Sequence, residues 1–235
     1  MPNRSLENPM TTLDDPRVAA LLVRLHAAAK GDVRYFLRAA PGMAAAWLRG
    51  RSPFEALEPH LARAFLPVEP DAGRLLYLVA RAIGARRIVE FGTSFGISTL
   101  YFAAAVRDNG GGEVIGTERE PNKRERALAH LAEAGLADLV DVRLGDARET
   151  LARDLTAPVD LLFLDGWKDL YIEILELVTP RLRPGAVVLA DNVRTFKKTL
   201  APFVARMRSG RHGFASTTLP FSSGLEVAVR LDDAV

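Results

Sequence analysis

Acidic side chains recur where the apolar runs of this chain stop. Glu118 closes Val114-Ile115-Gly116-Thr117, and Asp146 follows Val142-Arg143-Leu144-Gly145. Asp165 follows Leu161-Leu162-Phe163-Leu164, and Asp191 with Asn192 follows Val187-Val188-Leu189-Ala190. A further run, Arg87 to Phe91, carries Glu90 and opens onto Gly92-Thr93-Ser94-Phe95-Gly96. Glycines at that spacing allow a tight turn and close approach of a ligand to the backbone. A carboxylate at Glu118 is placed to accept from two ribose hydroxyls, and Asp146 from an adenine amino group. So many carboxylates would repel a pyrophosphate, and G-x-x-x-G departs from the dinucleotide pattern G-x-G-x-x-G. The set suits a cationic nucleoside, the sulfonium S-adenosylmethionine (SAM), better than NAD. Taken alone, Gly92 and Gly96 are equally an ordinary strand-to-helix turn; Glu118 and Asp146 in register tip the reading toward a nucleoside site. On the residues alone, Asp165 and Asp191 read as caps of the helices that follow. Lys168 then reads as a solvated lysine at a helix start, although a cation there opposes the helix dipole.

Side chains at several strand ends meet only if a sheet gathers those ends. Helical periodicity over residues 71–83, 97–106, 121–134, 169–182 and 197–208 alternates with strand-like runs over 87–91, 113–118, 140–144, 160–165 and 186–190. Residues 214–221 and 225–231 pair as a closing hairpin around Ser222-Ser223-Gly224. Alternation of this kind predicts an α/β fold, a Rossmann-like seven-stranded, mostly parallel sheet with an antiparallel C-terminal strand. Ligands of such sheets sit at the carboxyl ends of the strands, where the acids lie. Ahead of it runs an N-terminal helical segment: helices over 16–26, 33–48 and 53–65, broken at Pro41-Gly42 and between Gly50 and Pro53. Residues 1–65 are therefore expected to form an arm and a helical cap or dimerisation segment, and 66–235 the ligand-binding domain.

The chain of 235 residues is 49% hydrophobic and 26% charged, which suits one large domain and argues against wholesale disorder. A net charge of +2 makes no strong basic field, so no nucleic-acid partner is expected. The largely apolar stretch 88–106 has Glu90, Gly92 and Gly96 early in it, which a membrane span would not tolerate. It reads as strand, glycine turn and buried helix, and no membrane partner is expected. The charged, proline-containing first ten residues do not read as a signal peptide. With no cysteine there is no disulfide, thiolate metal site or cysteine nucleophile, and a reducing, cytoplasmic location is expected. His26, His60, His130 and His212 are scattered without metal-ligand spacing.

Several segments resemble one family. Val89-Glu90-Phe91-Gly92-Thr93-Ser94-Phe95-Gly96-Ile97-Ser98 is similar to the first motif of class I SAM-dependent O-methyltransferases of the cation-dependent catechol and caffeoyl-CoA type. Phe163-Leu164-Asp165-Gly166-Trp167-Lys168-Asp169-Leu170-Tyr171, Leu182-Arg183-Pro184-Gly185 and Leu189-Ala190-Asp191-Asn192-Val193 resemble further motifs of that family, and residues 68–73 its methionine-covering loop. The resemblance spans roughly residues 65–232. It implies that residues 66–235 are a SAM-dependent methyltransferase domain, with Glu90, Gly92 and Ser98 holding the methionine end of SAM and Val68 packed nearby. It implies Glu118 at the ribose, and Asp146, Gly166 and Trp167 around the adenine; Ser94 and Asp165 join this cofactor set. Asp165, Asp191 and Asn192 would bind a divalent metal, an all-oxygen set suited to Mg²⁺. Lys168 would be the general base beside Asp165. The acceptor would be a small molecule with a phenolic or vicinal-diol-like hydroxyl, and the enzyme a homodimer.

One position departs from the family. Catechol-type members carry an acidic residue near the start of the last hairpin that binds the second hydroxyl; at the matching spacing before Gly224 this chain has Thr217, and Glu226 is no obvious substitute. Catechol itself is thus not implied as the acceptor. Arg194, Lys197 and Lys198 could steer an acidic substrate but read first as a solvated helix face. The alternatives are a metal-independent SAM methyltransferase acting on N or O, an NAD-linked oxidoreductase, and a binding protein without activity.

Overall fold

The computed structural model of the protein describes residues 11–49, 67–221 and 223–231. The expected helix over 53–65, most of the N-terminal arm, the boundary between 65 and 66, and Ser222 lie outside them. Among the described residues the helices are α1 (Pro16–Ala29), α2 (Val33–Leu48), α3 (Pro70–Ala82), α4 (Ile97–Asp108), α5 (Pro121–Glu133), α6 (Ala147–Thr150), α7 (Tyr171–Val178) and α8 (Lys197–Arg208). The strands are β1 (Arg87–Phe91), β2 (Glu113–Glu118), β3 (Val140–Leu144), β4 (Val159–Leu164), β5 (Leu182–Ala190), β6 (Phe214–Leu219) and β7 (Leu225–Arg230).

The strands form one seven-stranded sheet in the order β3-β2-β1-β4-β5-β7-β6. β1 through β5 pair in parallel, and β7 runs antiparallel to both β5 and β6. The order reverses between β1 and β4, and the crevice at such a reversal is where open α/β sheets take ligands. Apolar clusters cover both faces. One gathers α1, α3 and α4 around Leu21, Leu76, Leu100 and Phe163; the other gathers α7 and α8 around Leu162, Tyr171 and Phe203. Alternate residues of β4 therefore serve opposite faces, which explains its unbroken apolar sequence. The far end of the sheet is tied by Asp160, which accepts from the amides of Arg86 and Arg87 at 2.8 Å each and from Arg183 Nε at 2.5 Å.

The stretch 88–106 is strand, turn and buried helix, as its early Glu90 and glycines suggest; residues 97–106 of α4 are all buried. Among the described residues no helix is long and apolar enough to cross a membrane. Two expected breaks fall elsewhere. α2 runs without interruption through Pro41. Proline's fixed φ fits a helix and its ring removes a single hydrogen bond, and the flanking Leu37, Arg38 and Ala40 are exposed, so water can reach the unpaired carbonyl. Conversely, the helix expected over 169–182 is shortened: α7 stops at Val178 and a 3-10 turn takes Thr179–Arg181, where Pro180 supplies no amide to continue it. α1 is no separate layer. Val18, Leu21, Leu22 and Leu25 lie in the same apolar cluster as α3 and α4, and the Asp108 carboxylate accepts from Thr12 N at 2.9 Å and Tyr77 OH at 2.8 Å.

Candidate active site

At the end of β1 the chain turns through Gly92, whose φ is 101°. A methyl group there would stand 2.7 Å from the Gly166 Cα and 2.8 Å from the Asp165 carbonyl carbon. Only glycine fits, and its absent side chain lets the β1 turn press against the end of β4. Glu90, one residue before Phe91, is fully buried. Its Oε1 accepts from Ser98 Oγ at 2.6 Å, and its Oε2 from Thr93 Oγ1 at 3.1 Å and Thr99 Oγ1 at 2.5 Å. Burial pushes its carboxyl up from the ordinary value while those hydroxyls pull it back. Oε2 is filled; Oε1 keeps one lone pair, so this buried group can receive one more donor.

Glu118, at the end of β2, is fixed by backbone. The Ser94 amide donates to Oε2 and the Glu120 amide to Oε1, both at 2.8 Å. Each oxygen retains a lone pair, which is the arrangement a pair of ribose hydroxyls requires. Asp146, after β3, does two local jobs: it caps α6 through the Arg148 amide at 2.9 Å and pairs with the Arg148 guanidinium at 2.6 and 3.0 Å. The Arg148 hydrogen bonds hold its carboxyl down at about 2, so it is an anion with acceptor capacity remaining.

Across the reversal point lie the ends of β4 and β5. Leu164 pairs with Ala190, so Asp165 and Asp191 emerge side by side, and the Asp191 amide still donates to Leu164 O at 3.0 Å. Neither carboxylate caps a helix: the 3-10 turn after Asp165 and α8 have no side-chain cap. The capping interpretation of these two residues is thereby corrected. Lys168 is not a solvated lysine either. Its ammonium is largely buried and donates to Asp165 Oδ1 at 3.1 Å and to Tyr171 OH at 2.9 Å. Tyr171 OH in turn donates to Asp191 O at 3.2 Å. Burial pushes the Asp165 carboxyl up to about 7 against the pull of Lys168, with Asp191 adding repulsion. Burial likewise holds the Tyr171 phenol protonated. Asn192 adopts φ 68°, a left-handed conformation that asparagine tolerates. The structure therefore gathers Asp165, Lys168, Asp191 and Asn192, and brings Glu90 close enough for its charge to act on Asp165.

The remaining expected residues are more dispersed. Val68 is buried and lines, with Phe163, Asp191 and Phe221, a cavity of about 10 Å³. Trp167 is 39% exposed. Thr217 and the basic residues Arg194, Lys197 and Lys198 are exposed. Glu226, opposite Ala190 in the sheet, is buried and its carboxylate is already engaged, accepting from Arg208 Nε at 3.1 Å and Ser216 Oγ at 2.7 Å, so it does not replace the missing hairpin acid. Four participants were not anticipated: Thr93 and Thr99 beside Glu90, Tyr171 under Lys168, and Ser223, whose hydroxyl touches both Asp191 and Asn192. Tyr171 stands within a quoted motif, and Thr99 beside Ser98 on the buried face of α4; Ser223 carries no local signal.

Residues 89–193 match a family described as a methyltransferase domain. Catechol O-methyltransferase of Mycobacterium tuberculosis is 37% identical over 128 residues, covering 54% of this chain and 57% of that protein. Caffeoyl-CoA O-methyltransferase 2 of Zea mays is 29% identical over 168 residues, covering 69% of this chain and 62% of that protein. The chain thus spans 57% and 62% of the length of these curated relatives. Among solved structures, the O-methyltransferase TomG from Streptomyces achromogenes in complex with SAM superposes with a TM-score of 0.65 at 32% identity, covering 71% of this chain and 82% of that one. The family match runs through the stretch that carries the Gly92 turn and the Asp165 and Asp191 ends, and with a solved O-methyltransferase 32% identical and covered over 82% of its length, the chain belongs to the class I SAM-dependent O-methyltransferases.

Proposed function

We propose that the protein moves the methyl group of SAM to a hydroxyl oxygen of a small phenolic or vicinal-diol-like acceptor, with Mg²⁺ at Asp165, Asp191 and Asn192. One observation carries the reading: Asp165, Lys168, Tyr171 and Asp191 form a continuous hydrogen-bonded chain at the ends of β4 and β5, beside the Glu90 and Glu118 crevice. SAM supplies an electrophilic methyl group, and a divalent cation at the acceptor oxygens lowers the cost of losing the hydroxyl proton.

The protein's residues do the rest. Glu118, locked by two amides, accepts the ribose hydroxyls. Glu90 offers its remaining Oε1 lone pair to the methionine ammonium. Asp146, Gly166 and Trp167 border the adenine, and Val68 and Ser94 complete the cofactor contacts. Lys168 Nζ, once one ammonium proton has passed to solvent, takes the acceptor proton as a neutral amine, held in place by Asp165 and by Tyr171 OH. Fixing both reactants on a rigid sheet edge supplies the orientation on which in-line transfer depends.

The donor set fits a hard cation. Asp165, Asp191 and Asn192 offer oxygen only, and Mg²⁺ accepts such partial sets by keeping waters or taking substrate oxygens. Among the described residues no three His, Cys, Asp or Glu side chains cluster at metal-binding distance, so the amide of Asn192 is an essential part of the set. A second reading, metal-independent methyl transfer, draws on the Lys168 ammonium that already neutralises Asp165. We extend the main reading to a cytoplasmic homodimer, supported by the absence of cysteine and by the family resemblance.

A thermal-shift matrix of S-adenosylhomocysteine (SAH), NAD, Mg²⁺ and EDTA, joined to transfer of radiolabelled methyl to a panel of diols, tests these statements. At a hundredfold excess over Kd, SAH should add about 2.7 kcal/mol of stability, or roughly 5–10 °C. Stabilisation by NAD and not SAH would sink the proposal. Transfer unaffected by EDTA would select the metal-independent reading.

A further inference from the structure

We infer that Ser223, in the turn between β6 and β7, is a positioning residue that orients Asn192 and Asp191 so that each presents one oxygen to a divalent cation. The inference rests on the metal reading above and adds a residue from a part of the chain that no motif marks.

Ser223 Oγ donates to Asp191 Oδ1 at 2.6 Å and accepts from Asn192 Nδ2 at 2.8 Å. Asn192 Nδ2 also donates to Asp191 Oδ2 at 3.1 Å, and the Asn192 amide donates to Asp191 Oδ1 at 2.7 Å. Both Nδ2 hydrogens are therefore used within this triangle, which leaves Asn192 Oδ1 with both lone pairs and facing away from it. Flipping the side-chain amide would set Oδ1 against a carboxylate oxygen and take away the hydroxyl's donor. Asp191 Oδ1 already accepts two hydrogen bonds and is filled, while Oδ2 accepts one and keeps a lone pair. The pair thus shows one carboxylate oxygen and one amide oxygen, in an orientation that the Ser223 hydroxyl completes by joining the two side chains.

The bland alternative is that Ser223 merely fastens the hairpin to the loop after β5. The backbone already does so: Val193 N donates to Gly224 O at 3.0 Å, and Arg194 N and Thr195 N donate to Ser223 O at 3.0 and 3.2 Å. Any residue at this position could accept those bonds. The hydroxyl is superfluous to the fastening and is spent on the two side chains that would hold the metal. Outer groups that orient metal ligands typically contribute 10- to 100-fold in metal affinity.

The test uses the full chain with SAH bound and Mn²⁺ as probe, free Mn²⁺ being counted by electron paramagnetic resonance. Ser223→Ala should weaken Mn²⁺ binding at least tenfold while SAH affinity stays within twofold. Ser223→Thr, which keeps the hydroxyl, should recover binding to within about threefold. Mn²⁺ affinity unchanged in Ser223→Ala, or equal losses in both variants, would overturn the inference. If the unaltered protein binds SAH but no Mn²⁺, the metal reading itself fails and takes this inference with it, a result distinct from metal binding that ignores Ser223.

Discussion

The turn at Gly92 gives the sharpest quantitative test, because two separate costs of a methyl group can be divided there. Replacing Gly92 by Ala forces an L side chain to φ 101°, and sets its Cβ 2.7 Å from Gly166 backbone atoms and 2.8 Å from the Asp165 carbonyl carbon. The strain of such a backbone costs about 1–2 kcal/mol. Backbone atoms cannot swing aside as a side chain can, so the collision adds about 1–3 kcal/mol of overpacking. Gly110→Ala is the control: its φ is 87°, yet nothing stands within 4 Å of the added Cβ. Gly110→Ala should therefore lose about 1–2 kcal/mol and Gly92→Ala about 2–5 kcal/mol, at roughly 2–4 °C of Tm per kcal/mol in a chain of this size. Urea unfolding with SAH titration separates the effects. Gly110→Ala should keep its SAH affinity, and Gly92→Ala should lose at least tenfold because the end of β4 must move. Equal destabilisation in the two variants would refute the close approach of the turns, and unchanged SAH affinity in Gly92→Ala would refute its link to the site.

Other outcomes follow from single residues. Glu118→Ala should abolish measurable SAH binding by calorimetry while the melting temperature of the unliganded protein stays within a few degrees, since both partners of this carboxylate are amides near solvent. Lys168→Met should lower the rate of methyl transfer about 10²–10⁴-fold with SAH affinity little changed; transfer at the original rate would remove Lys168 from the mechanism. Asp160→Ala, far from the site, should cost about 1–3 kcal/mol in urea unfolding by leaving the Arg86 and Arg87 amides without their acceptor. His26 is held below its ordinary 6.5 by burial, next to Tyr101 OH at 3.2 Å. The folded protein thus favours the neutral ring, so this contribution is complete above about 6.5 and declines as pH falls below it. The difference in Tm between the unaltered protein and His26→Gln, scanned from pH 8 to 5, should shrink toward acid.

What could be read in advance was whatever the chain encodes locally. Five strands ending in or near an acid or amide announce a ligand-binding sheet edge, and the expected bounds of β1, β2 and β3 coincide with the observed ones. Breakers were harder to interpret. Pro41 does not stop α2, because an exposed helix can lose one hydrogen bond to water, whereas Pro180 does stop α7. Asp146 illustrates a residue with two readings that coexist: it caps α6 and still projects from the end of β3. Asp165 and Asp191 look from sequence like caps and are not, since the deciding fact is the register of β4 against β5. Ser223 was legible only as a turn residue. It meets Asp191 from 32 positions away, and that contact depends on β7 inserting between β5 and β6.

The acids at the reversal point also make a setting that favours a positively charged ligand. Burial shifts Glu90 and Asp165 upward, with repulsion from Glu118 added at Glu90 and from Asp191 and Glu90 added at Asp165. A protein arranged only for stability would replace such a group with apolar side chains. Instead each carboxylate is satisfied on the side facing the protein: Glu90 by hydroxyls, Glu118 by amides, Asp191 by an amide and Ser223, Asp165 by Lys168. Satisfaction on one side fixes the direction in which the remaining lone pairs point, and no rearrangement is then needed when a ligand arrives. A ligand bearing positive charge gains twice in such a place, through its own contacts and through relief of the repulsion among the acids. A pyrophosphate would add to that repulsion. The preference for a sulfonium nucleoside over a dinucleotide thus follows from the same electrostatics that leave Asp165 poised near neutrality.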